Sequence, residues 1–214
     1  MTLTDLVRRI VLVPGSFLIA LCASPPEPRA AEGTIHSAVL GEMTAKPYDV
    51  WAGATIALPL YHNERFTVQY MFDPDDDPAF LAEADKALAH FLKLDDTVRL
   101  SSSRPVGDFA RINLEAWDYR GYEAKGEHAW VGLRDLSIDE AWLDDFVAGR
   151  KAPEDVWRML GNLSEVYLAR GRDNAVYVAV SWNCLWDVEH GFLMTFKEGQ
   201  QLARISAHDG ELTD

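Results

Sequence analysis

From residue 65 to 72 the chain reads RFTVQYMF, and Phe66, Val68, Tyr70 and Phe72 alternate with less apolar neighbours. A period of two is that of an antiparallel strand with one face in a core. Three shorter runs before it, residues 38–43, 48–51 and 55–60, are rich in β-branched and aromatic residues and are separated by Gly53 and by His62-Asn63-Glu64, so they predict further strands. The period changes after Pro78. Phe80, Leu81, Ala84, Leu88, Phe91 and Leu92 make one stripe of a helix over 78–94. A second helix is expected over 105–119, with Val106, Phe109, Ala110, Ala116 and Trp117 inward. Ser137-Ile138-Asp139-Glu140 has the form of a capping box that opens a third helix, which Gly149 stops, and 153–160 makes a fourth, short one.

Strand pattern then returns. Residues 165–170 lead through Gly171-Arg172-Asp173-Asn174, a hairpin turn, into 176–186, and 192–196 and 202–206 follow. Along 176–186, Val176, Val178, Val180, Trp182, Cys184 and Trp186 share one face, while Tyr177, Ala179, Ser181, Asn183 and Leu185 share the other. Both faces are largely apolar, as in a central strand covered on each side. Strands at the two ends and helices in the middle predict an α+β fold: an antiparallel sheet built from the first and last thirds, with the central helices packed on it. No repeat interrupts it, and one domain over 36–214 is the economical division.

Residues 1–31 stand apart. Arg8 and Arg9 precede an apolar run over 10–23, and the polar SPPEPRAAEG follows, a signal-peptide pattern too short for an ordinary membrane span. The protein is expected to be exported or periplasmic if residues 1–23 act as that signal, and cytoplasmic otherwise. An uncleaved anchor, or a start assigned too far upstream with the true one near Met43, are the competing readings. The leader carries three arginines against two carboxylates, so the acidity of the whole chain, net charge -14 and pI near 4.8, belongs to the domain. Such a surface repels phosphate backbones and anionic lipid, which argues against nucleic acid and against membrane binding by the folded domain, and favours a basic protein or peptide as partner. Cys22 and Cys184 are the only cysteines, too few for a disulfide framework or a multi-cysteine zinc site.

Two polar stretches invite chemistry. In DPDDDP, Asp73, Asp75 and Asp77 alternate as calcium ligands do, but Pro78 stands where an EF-hand loop needs glycine, and the closing Glu is missing. Asp77 as helix N-cap with Pro78 at the first helical position explains the run better. The second stretch is the corner Asp187-Val188-Glu189-His190-Gly191 between Trp186 and Phe192. On extended backbone Asp187 and Glu189 would project to one side, with His190 beside them. That set could hold a divalent ion or do general acid/base work if burial by Trp186 moved a pKa. Alternatively, Glu189 and His190 satisfy the turn's backbone and bridge to Asp209, making a structural lock. Cys184 with His190 is a thiolate-base pair only if the thiol is reachable, and a cysteine among strand valines is more often simply buried. Gly-rich phosphate loops, nucleophile elbows and paired helix histidines are absent from the sequence, so no catalytic residue and no cofactor is assigned.

The WDVEHGF segment, the LMTF strand, the Lys197-Glu198-Gly199 turn, LARIS and DGELT resemble the ending of a bacterial family of small domains of unknown function, which runs Trp-acidic-x-Glu-His-Gly, strand, turn, Asp-Gly-His-Leu-Thr. PEDVWRML, VYLAR and HSAVLGEM are similar to that family's earlier segments. Glu211 stands here where those proteins have His. The net charge of -14 and the lack of a catalytic signature give the expectation of a non-enzymatic acidic protein-binding module of the immunity-protein type, with Trp182, Trp186, Asp187, Glu189, His190, Gly191 and Asp209 at its binding surface. The alternative is a metal-dependent hydrolase using Asp187, Glu189 and His190 as ligands.

Overall fold

A computed structural model describes residues 33–121, 135 and 137–213. Eight strands lie in one sheet in chain order: β1 (Thr34–Ser37), β2 (Gly41–Lys46), β3 (Val50–Leu58), β4 (Glu64–Met71), β5 (Leu160–Arg170), β6 (Val176–Cys184), β7 (Phe192–Lys197) and β8 (Gln201–Ala207). Every neighbouring pair is antiparallel except β4 and β5, where Val68 sits opposite Val166 and Tyr70 opposite Leu168 in parallel. A parallel pair needs a long crossover, and the chain uses it to build the helical layer. That layer holds α1 (Phe80–Phe91), α2 (Asp96–Ser101), α3 (Ser103–Ala116), α4 (Glu140–Val147) and a 3-10 helix, Pro153–Met159. The α+β architecture expected from the two periods is therefore the one observed. Residues 1–31, with the leader, and the loop expected over 120–127 beyond Gly121 lie outside the described residues.

Several boundaries move for physical reasons. The run over 38–43 is not one strand, because buried Asp85 of α1 pulls the chain into a turn after β1. Its carboxylate accepts from the Ser37 hydroxyl, from Ala38 N at 2.6 Å and from the Tyr70 hydroxyl at 2.8 Å. Ser37 Oγ in turn accepts from Val39 N and Leu40 N at 3.1 and 2.9 Å. Three donors, from the end of β1, the turn after it and β4, are thus tied directly to one helix. Gly53 marks an irregularity in β3 where the register shifts between Ala52 and Thr55; a Cβ there would stand 2.8 Å from Leu40 Cβ. The helix expected over 105–119 is α3, which begins earlier, at Ser103, and ends at Ala116; ahead of it lies α2, which the pattern did not predict, capped by Asp95 accepting from Thr97 N at 2.9 Å. The capping residue of α4 is Asp139, which accepts from Trp142 N at 2.8 Å, while Ser137 hydrogen-bonds Asp135. Asp77 is likewise not the N-cap of α1, which begins after Ala79. Arg170 takes both Asp77 oxygens, at 2.5 and 3.0 Å, and lowers that carboxyl's pKa.

The helices cover one face of the sheet, where Met43, Val68, Tyr70, Val178, Val180 and Phe196 are buried under Phe80, Leu88, Phe91 and Leu114. On the other face a second cluster is closed over β5 to β7. There Tyr167, Tyr177, Ala179 and Leu193 are covered by Leu212, because the tail after β8 folds back across the strands. Thr195 Oγ1 donates to Leu212 O at 2.9 Å, and Arg204 binds both oxygens of Asp209 at 2.7 Å. This tail is what makes both sides of β6 apolar. At the other end of the same strands, Gly199 in the β7–β8 turn has φ +68°, and a Cβ on it would lie 1.8 Å from Ala87 O of α1. The turn is seated directly on the helix backbone, which no residue with a side chain permits. Among the described residues no helix is long and apolar enough to cross a membrane.

Candidate functional site

The corner follows from how β6 ends. Leu185 N still bonds to Met159 O at 3.0 Å, and the strand then stops because Asp187 captures the following backbone. Asp187 Oδ1 accepts from His190 N at 2.9 Å and lies 3.1 Å from His190 Nδ1, and Gly191 N bonds to Asp187 O at 2.9 Å. An aspartate that bonds its own backbone downstream makes a turn, so the corner is not the extended segment the spacing suggested. Gly191 closes the turn with φ +78°; a Cβ there would stand 2.5 Å from Trp182 O.

The turn sets the chemistry of its side chains. Asp187 is mostly enclosed, with its side chain 18% exposed, whereas the His190 side chain is 63% exposed and Glu189 is exposed. Cys184 is buried, its Sγ 3.4 Å from Asp187 O, and burial pushes its thiol pKa up. A protonated, enclosed thiol is not a nucleophile, so the Cys184 and His190 pairing does not arise. Among the described residues no three His, Cys, Asp or Glu side chains gather closely enough to hold a metal ion. The set Asp187, Glu189 and His190 is opened by the turn instead of being drawn to a point.

The structure brings together some predicted residues and separates others. Trp186, Asp187, Glu189 and His190 line one open hollow of about 330 Å³, with Asn113 and Trp117 from the end of α3 as its far wall. Trp117 reaches it because α3 stops at Ala116 and Trp117 adopts extended backbone. The sequence placed Trp117 inside a longer helix; the acidic residue after it, Asp118, was the available sign of a helix end. Trp186 is 3% exposed, edge-on to Phe192 at 5.3 Å, and its indole Nε1 has no hydrogen-bond partner among the described residues. An unpaired buried donor beside an open hollow is the kind of group a bound partner satisfies. A second hollow of about 450 Å³ adjoins the first through Trp117 and carries Glu115, Asp118 and Asp144. Five carboxylates therefore flank one indole, against Arg120, which lies 3.7 Å from Asp118.

Trp182 does not belong to this surface. It stacks on Phe192 at 5.6 Å, meets Tyr61 edge-on at 4.6 Å, and lines a different hollow. Asp209 does not bridge to Glu189 or His190. Arg204 takes both its oxygens and Glu211 N bonds its Oδ1 at 3.0 Å, which brings its pKa down to about 2. Glu211, the residue that replaces the expected histidine, pairs with Arg172 at 2.6 Å and so fastens the tail to the β5–β6 turn.

Comparison with known proteins adds a family and no activity. Residues 39–212 match a family model described as a domain of unknown function, DUF6985. No curated protein and no solved structure matches the chain.

Proposed function

The chain belongs to the DUF6985 family, and for it we propose the role of a non-enzymatic binding module whose acidic corner receives a basic segment of a partner protein. The observation that carries this reading is the hollow itself. Trp117 and Trp186 supply apolar wall, Asp187 and Glu189 supply negative charge on one side, and Glu115, Asp118 and Asp144 continue it on the other. A lysine or arginine has the matching form: an aliphatic stem that lies on an indole and a cationic head that carboxylates attract. The net charge of -14 extends the same attraction beyond contact range and would speed encounter with a basic partner. Because Asp187 is fixed by His190 N, its charge is held in place before the partner arrives.

The test is a pull-down at low and moderate salt with the wild-type chain and with Glu189→Lys. A basic protein retained by wild type and lost from the variant supports the reading. Recovery of no basic partner at either salt, or equal retention by the variant, contradicts it. The hydrolase alternative predicts a divalent ion bound to the purified protein and released in Glu189→Ala; a binding module predicts neither.

A further inference from the structure

Beyond the corner, on the other side of Trp182, lies a smaller hollow of about 190 Å³ lined by Tyr61, Arg99, Trp157 and Trp182. Three features set it apart. First, the Tyr61 ring is 6% exposed and its hydroxyl has no hydrogen-bond partner among the described residues. Burying a hydroxyl without a partner is unfavourable, and such groups are uncommon in folded proteins. Second, that hydroxyl lies close enough to Arg99 to feel its charge, although burial is the larger influence and raises the phenol's pKa. Third, the Arg99 guanidinium sits 5.4 Å from the centre of the Trp157 ring, and its one hydrogen bond among the described residues runs from Nε to Asp96 at 2.7 Å. The terminal nitrogens, the edge that recognises a carboxylate in two parallel bonds, make no hydrogen bond among the described residues.

The placement has local causes. The Tyr61 backbone ends the 3-10 turn Pro59–Tyr61, where His62 adopts φ 56° and turns the chain into β4. Trp157 is anchored from the other side, because its Nε1 donates to Ser103 Oγ at 2.7 Å. Tyr61 and Arg99 thus line the same hollow between the aromatic walls.

We infer that this hollow is a binding site for a small planar monocarboxylate, with Arg99 holding the carboxylate, the Tyr61 hydroxyl donating to one of its oxygens, and Trp157 and Trp182 enclosing the apolar part. Glu64 lines the same hollow, and its negative charge disfavours a doubly charged ligand such as a phosphate monoester. The site is separate from the corner and does not depend on the role proposed for it.

The experiment uses the full chain with labelled tryptophan indoles, followed by NMR while benzoate is added, with benzylamine and phenyl phosphate as controls. Benzoate is expected to shift the Trp157 and Trp182 resonances saturably, leaving Trp186 unmoved, and both controls are expected to bind at least about tenfold more weakly. Arg99→Gln should weaken benzoate binding about tenfold or more, in line with the loss of a charge-assisted pair. Tyr61→Phe is the variant that separates binding from folding: it removes only an unpartnered hydroxyl, so the melting temperature should stay or rise while benzoate affinity falls about threefold. The inference is overturned if benzoate produces no saturable shift, if benzylamine or phenyl phosphate binds equally well, or if Arg99→Gln and Tyr61→Phe leave the affinity unchanged.

Discussion

Asp85 and Asp187 do the same thing in different places. Each carboxylate gathers donors from a chain segment that would otherwise run on as strand: Asp85 takes the Ser37 hydroxyl, Ala38 N and the Tyr70 hydroxyl, and Asp187 takes His190 N and Nδ1. Asp85 does so from a helix facing the core and is 9% exposed, with Ser37 and Tyr70 fully buried beside it. Asp187 does so at the rim of the sheet, where Glu189 and His190 face solvent and Trp186 has a buried N–H with no partner among the described residues. A polar centre that is fully satisfied inside the protein can only hold the fold. One that is satisfied on its inner side and open on its outer side holds the fold and leaves capacity for a partner.

The comparison can be broken at either end. Asp85→Ala leaves three donors without an acceptor, two of them on fully buried residues, and should lower the unfolding free energy by about 3–5 kcal/mol. A loss under about 1 kcal/mol in urea unfolding would show that the node is not the tie between α1 and β1. Gly191→Ala comes next, because it meets both the positive φ and the Trp182 carbonyl 2.5 Å away; about 2–4 kcal/mol is expected from the same measurement. Asp187→Ala removes a turn cap that is only partly enclosed and should cost about 1 kcal/mol, with loss of amide protection at His190 in hydrogen exchange as its signature.

The tail offers a third term, governed by pH. Asp209 sits beside Arg204 with its pKa lowered from 3.8 to about 2, and a carboxyl whose folded pKa is depressed contributes stability that is present above its unfolded value and lost as pH falls through the folded one. Asp135, held by Ser137 and Arg158, behaves alike, its pKa also near 2. Melting temperature should therefore drop from pH 4 toward pH 2, and Asp209→Asn should flatten part of that drop; an unchanged profile in the variant would remove Asp209 from the account. Smallest in stability is Glu189→Gln, expected within about 0.5 kcal/mol of wild type because the residue is exposed. It sharpens the comparison by weakening partner binding without touching the fold.

How much of this was legible in the sequence follows the same division. The alternation in 65–72 and 176–186 and the stripe in 80–92 foretold sheet, central strand and helical layer, because burial on one face or two is written into residue type at a fixed period. The break at Ser37 was not readable, since it depends on a carboxylate 48 residues away. Trp182 and Trp186 share a face by parity, yet Phe192 stands against both and leaves them to different hollows. The acidic corner was visible as composition, but its geometry required knowing that Asp187 turns its own backbone. Trp117 entered the site because α3 ends at Ala116, the residue before it, and not at 119.

The most direct test of the corner as a contact surface is the Trp186 indole resonance of the full chain during titration with a lysine-rich peptide. A saturable, salt-sensitive shift that disappears in Glu189→Lys is the predicted result. An indole that does not respond, or that responds equally in the variant, would contradict the account.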